Sequence, residues 1–116
     1  MNDVLRAIYS GRAASASSTR RITEILLACE TGTNRIPGRL PEGARAAHKT
    51  GTLGGAVADV GVLYLPQDRG HVLISVLTRG VEDREKAESA IAEIARYAYD
   101  YFQFAVHQKL EKEPFS

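Results

Sequence analysis

Tryptophan is absent, cysteine occurs once, and neither sign of charge dominates: 15 basic against 14 acidic residues leave a formal charge of +1 over 116 residues. That balance excludes a polyanion or an anionic membrane surface as the main partner, since such binding needs clustered cations. A lone thiol, Cys29, cannot close an internal disulfide; following Ile25-Leu26-Leu27-Ala28, it reads as a small core residue rather than a reactive group. No apolar run approaches the ~18 residues of a membrane-spanning helix, and no cationic stretch with a long apolar run behind it opens the chain, so neither a membrane span nor an export signal is expected within it. Paired metal ligands are missing as well: His48, His71 and His107 fall on separate segments without ligand spacing, and no cofactor is expected. The last absence matters most. No serine is followed three residues later by a lysine, so a hydroxyl nucleophile activated by a neighbouring amine is not encoded here.

What remains is an ordinary globular composition, 44% hydrophobic and 25% charged, in a chain long enough to bury roughly two thirds of its unfolded surface as one unit. Val4, Leu5 and Ile8 fall at helical spacing, which predicts a short helix over 3–9 stopped by Gly11. Ser17 or Ser18 can cap a second helix over 18–31, with Ile22, Ile25, Leu26 and Cys29 on one face and Gly32 at its end. Between Thr33 and Gly43, Pro37, Gly38, Pro41 and Gly43 forbid long regular structure. Strands are expected over 44–52, 56–65 and 71–78, joined by Leu53-Gly54-Gly55 and by Pro66 to Gly70. Links this short allow only antiparallel hairpins, hence a three-stranded meander.

A long helix over 82–107 should follow, with Glu82, Asp83 and Glu85 at its positive start. Ala87, Ile91, Ile94, Ala98, Tyr101 or Phe102, and Ala105 trace its expected sheet-facing stripe. Its aromatics Tyr97, Tyr99, Tyr101, Phe102 and Phe104 read as packing residues, and the tail from Lys109 as frayed. The fold class is therefore α+β: a three-stranded antiparallel meander, a long carboxy-terminal helix packed on it and two shorter amino-terminal helices.

One short stretch carries chemistry. His48-Lys49-Thr50-Gly51-Thr52-Leu53-Gly54-Gly55 sets a cation, two hydroxyls and a bare backbone into one strand. Alternation puts Lys49 and Gly51 on one face and Thr50 and Thr52 on the other. Gly51 leaves room for a ligand's amide to lie along the strand edge, while Lys49 and a threonine hydroxyl can hold a carboxylate. Acidic substrates are favoured. Glu82, Asp83 and Glu85 are helix-start residues rather than an acid–base pair, and Ser15, Ser17 and Ser18 are loop and capping residues.

Together with Asn34-Arg35-Ile36-Pro37, Leu40-Pro41 and Asp59-Val60-Gly61, this stretch resembles the carboxy-terminal part of the class A serine β-lactamases and their penicillin-recognising relatives. The resemblance implies that Lys49 orients the substrate carboxylate, that Thr50 is its hydroxyl partner, and that Thr52 gives its backbone amide to the oxyanion hole and its hydroxyl to the carboxylate. Many members carry an arginine on the next strand, where Ala58 stands here; Arg35 in the preceding loop would replace it and reinforce Lys49. His48 and Asp59 are expected to orient strands. The family's Ser-x-x-Lys, Ser-Asp-Asn and Glu-x-x-Leu-Asn elements are missing, so no catalytic residue is expected in this chain and it should be inactive alone. The implied partners are a β-lactam or acyl-peptide in the complete protein, and either a second copy or a complementary amino-terminal fragment. The implied location of the parent is periplasmic or secreted. The rival reading is a non-catalytic binding or dimerisation module that keeps only the carboxylate strand.

Overall fold

A computed structural model describes the backbone of residues 1–112 and the side chains of residues 1–109. Helix α1 spans Asn2–Tyr9. Helix α2 spans Ala16–Leu27 and is capped by Ser15, whose hydroxyl accepts the Ser18 amide at 3.2 Å. The cap thus falls two or three residues before the expected Ser17 or Ser18, and the helix stops at Leu27 rather than at residue 31. A single 3-10 turn, Ile36–Arg39, occupies the proline-glycine stretch. Strands β1 (Arg45–Leu53), β2 (Ala56–Tyr64) and β3 (His71–Thr78) form one antiparallel sheet in the order β1-β2-β3. The closing helix α3 runs Arg84–Lys112, past the point where fraying was expected. Residues 113–116 lie outside the described part of the chain. No helix of the described residues is long and apolar enough to cross a membrane.

Register follows from the turns. Gly54 takes φ +56 in a two-residue link that pairs Leu53 with Ala56, the left-handed conformation such hairpins demand. The β2–β3 link is more strained, because Gln67 and Asp68 both sit at positive φ without being glycine. With β1 and β2 in register, Lys49 pairs with Val60 and Gly51 with Ala58.

Alternation then sorts the two faces. Val57 and Leu63 of β2, with Val72 and Ile74 of β3, meet Ile91, Ala95 and Tyr99 of α3 in the main core, closed by Ile36 and Leu65. On the opposite face Ala47 and Val62 are fully buried. Helix α1 lies there, its Tyr9 hydroxyl 2.7 Å from that of Tyr64 and its ring against His71. Burial and the Tyr64 hydrogen bond raise the Tyr9 phenol well above its ordinary range. Helix α2 packs beside β1 and so covers part of that strand's flank.

Two packing expectations need correction. The buried line of α3 is Glu88, Ile91, Ala92, Ala95 and Tyr99, while Ile94 and Tyr101 are 46% and 65% exposed. The buried side of α3 mixes small alanines with Ile91 and Tyr99, which fill the space between helix and sheet. Helix α2 buries no residue fully, with Ile25 58% exposed, and Cys29 lies beyond its end, only half-buried. It is not a core residue.

Candidate functional site

The segment Lys49 to Leu53 forms the outer rim of the sheet, with no strand beside it among the described residues. Lys49 is exposed, its Nζ resting 2.6 Å from the Thr50 carbonyl. Gly51 has nothing within 4 Å of where a Cβ would stand, so a ledge of bare backbone lies open beside the cation.

Thr52 is exposed, yet its hydroxyl is anchored from behind. The Arg35 guanidinium donates from Nη2 to Thr52 Oγ1 at 2.7 Å, and from Nη1 to the Gly51 and Ala58 carbonyls at 3.2 and 2.9 Å. Its Nε donates to Glu88 Oε2 of α3 at 2.9 Å. Arg35 is 1% exposed and Glu88 7%, a burial that only a paired and hydrogen-bonded cation tolerates. The Arg35 hydrogen bond holds the Glu88 carboxyl below the usual carboxylate range against the upward push of burial, with Asn34 assisting. The consequence is chemical. A hydroxyl that accepts from a guanidinium has its own hydrogen left to donate, and here that hydroxyl stands at the exposed rim.

Thr50 is fixed differently. Its Oγ1 lies 2.9 Å from Thr31 Oγ1, and Gly32, at φ +62, stands where any side chain would collide with Thr50 Cγ2. Beneath the rim, His48 Nδ1 donates to Asp59 Oδ2 at 2.8 Å, and the Ile36 amide donates to the same oxygen at 3.1 Å. This buried trio ties the 3-10 turn to β1 and β2. Gly61 makes room for it, since a Cβ there would meet His48 Cβ at 2.8 Å and collide with the Ala47 carbonyl.

The five residues singled out from sequence therefore fall into two groups. Lys49, Gly51 and Thr52 share the rim. Thr50 is half-buried with its hydroxyl turned to Thr31, and Arg35 lies behind the strand, reaching the rim through the Thr52 hydroxyl and the Gly51 carbonyl. Sequence reasoning missed Glu88, Thr31 and the carbonyl of Ala58. A glutamate on the small-residue side of α3 was the one available signal, and its partner lies 53 residues away. Among the described residues no cluster of three or more His, Cys, Asp or Glu could hold a metal.

Comparison with known proteins bears on the arrangement. A family model described as the β-lactamase enzyme family matches residues 1–102. The chain is 33% identical over 110 residues to the β-lactamase VEB-1 of Pseudomonas aeruginosa, covering 88% of this chain and 37% of that protein. Its identity to the extended-spectrum β-lactamase PER-1 of the same organism is 29% over 105 residues, covering 85% of this chain and 34% of PER-1. Among solved structures, a β-lactamase from Chitinophaga pinensis superposes with TM-score 0.82 at 30% identity, covering 86% of this chain and 39% of that one. The TLA-1 extended-spectrum β-lactamase gives 0.79 at 30% identity, over 87% and 39%. The chain thus spans well under half the length of the relatives it matches.

Proposed function

Because this chain belongs to the class A serine β-lactamase-like family, we propose that it is the carboxy-terminal part of such a hydrolase, supplying the substrate-carboxylate and oxyanion strand to a site whose nucleophile comes from another segment. One observation carries this reading: an open glycine ledge flanked by an exposed lysine and by a hydroxyl that a buried arginine holds from behind.

The steps follow from that geometry. An anionic substrate meets Lys49, whose Nζ leaves the Thr50 carbonyl for the carboxylate. Thr52, accepting from Arg35, donates its hydroxyl hydrogen to the same group. Each such charge-assisted bond is worth roughly 1.5–3 kcal/mol when shielded from water. Arg35 is a positioning residue, because it touches Thr52 and not the substrate, and Glu88 keeps it in place. The substrate's amide lies along Gly51, and the Thr52 backbone amide stabilises the oxyanion formed when a serine from the other segment attacks the ring carbonyl. Without that serine no acyl-enzyme forms.

The purified chain should leave a chromogenic cephalosporin intact. Mixed with a separately produced amino-terminal segment of VEB-1 carrying its nucleophilic serine, it should gain hydrolysis that Lys49→Ala removes. Turnover by the chain alone would overturn the reading. Folded segments that bind each other without hydrolysis would instead favour the second reading, a non-catalytic binding or dimerisation module, which the outer edges of β1 and β3, without a neighbouring strand among the described residues, support.

A further inference from the structure

Beside the amino-terminal half of β1 a cavity of about 380 Å³ opens between the end of α2, the loop that follows it and the strand. Leu27, Pro37, Ala44 and Ala46 line it with apolar groups, and Cys29, Thr33, Arg45 and His48 with polar ones. Its size is that of a small-molecule pocket.

His48 sets the chemistry. Only 2% of it is exposed, and Nδ1, lying 2.8 and 3.0 Å from the two Asp59 oxygens, carries the ring hydrogen. In the neutral ring Nε2 then holds a bare lone pair. Asp59 supplies the one hydrogen bond found on this imidazole. Yet Nε2 is not sealed, because among the described residues every fully buried side-chain nitrogen or oxygen has a partner. The small part of His48 that solvent reaches therefore includes Nε2, and His48 is among the residues that line this cavity. The result is an acceptor beside a pocket of mixed polar and apolar lining, its tautomer fixed by a carboxylate that the Ile36 amide holds in turn.

We propose that His48 Nε2 opens into this cavity and that the cavity binds a small amphipathic molecule bearing one N–H or O–H donor, of the phenol or azole class, which donates to Nε2. Its occupancy reports at the rim. Cys29 Sγ lies 3.5 Å from both oxygens of Thr31, whose hydroxyl holds Thr50, and His48 precedes Thr50 by two residues on the same face of β1. The inference does not rest on the proposed hydrolase role.

Phenol is the probe. Titrated into the 15N-histidine-labelled chain, it should shift the His48 Nε2 resonance saturably, leave the Nδ1 resonance in place, and slow Cys29 alkylation by iodoacetamide several-fold. Toluene, similar in shape but without a donor, should leave Nε2 unmoved. Ala46→Leu, which fills the cavity, should abolish both effects, with Leu27→Phe as the alternative should the first variant unfold. Lys49→Ala should change neither, which separates this site from the carboxylate strand. Phenol without effect on Nε2, an equal shift with toluene, or a shift surviving a folded cavity-filling variant would each overturn the proposal.

Discussion

Gly61 shows how one missing side chain can fix a sheet. The place a side chain would take there lies so close to Ala47 and His48 that a methyl group must push β1 away from β2, and with it the buried His48–Asp59 pair. Gly61→Ala should lower stability by at least the ~1–3 kcal/mol of ordinary overpacking, read from urea denaturation, whereas Gly51→Ala, facing open space, should change stability little. A second prediction concerns Glu88. Removing one member of a buried ion pair strands the other, at a cost on the order of 3–5 kcal/mol, so Glu88→Ala should be strongly destabilised at neutral pH. The sign with pH is fixed by the lowered carboxyl. Stability from ionised Glu88 is present above the ordinary glutamate value of ~4.3 and is lost as pH falls through the lowered one. The gap between wild type and Glu88→Ala should therefore narrow on acidification below that range; a gap constant from pH ~7 to ~3 would refute the assignment. Residues such as Lys49 and Gly51 were legible in sequence because their chemistry is local and contiguous. Glu88 was not, because an ion pair spanning 53 positions leaves no spacing to read.

At the scale of elements, turn chemistry was the most legible part. Gly54 and the Pro66–Gly70 link bound strands whose observed limits differ by no more than a residue from those expected. Helix ends and faces were less so. Ser15 displaced two later serines as the cap of α2 because all of them carry the same oxygen and only the backbone path chooses among them. Asp83 does cap α3, its Oδ1 accepting the Lys86 amide at 3.3 Å. The expected stripe of α3 held at Ala87, Ile91 and Ala98 but not at Ile94, Tyr101 or Phe102, because aromatics surround the helix and hydrophobicity alone could not choose between its sides. The choice is testable with two tyrosines. Tyr99 is 4% exposed and Tyr97 70%. Tyr99→Ala should cost roughly 3–5 kcal/mol, and Tyr97→Ala about 0.5 kcal/mol or less, by thermal or urea unfolding. Comparable losses would mean that α3 sits rotated from the face described.

At the scale of the molecule, the exposed Tyr97, Tyr101 and Phe104 of α3 and the unpaired flank of β3 leave more apolar and hydrogen-bonding surface in contact with water than a closed sheet would. We therefore expect the isolated chain to self-associate, with mass by light scattering rising with concentration, and to return to a single complex when the complementary segment is added. A monomer at high concentration would count against this. The strand order β1-β2-β3 also sets what form uncontrolled growth would take. Joining two β3 flanks closes a two-fold pair and ends there, but joining a β1 flank to a β3 flank leaves one of each still free, so every addition prepares the next and the product is an open-ended fibre. Lys49 stands on the flank such stacking must use, where its ammonium would lose water against a β3 strand that offers it no carboxylate; the residue read as a grip for anions would thereby also act as a brake on polymerisation.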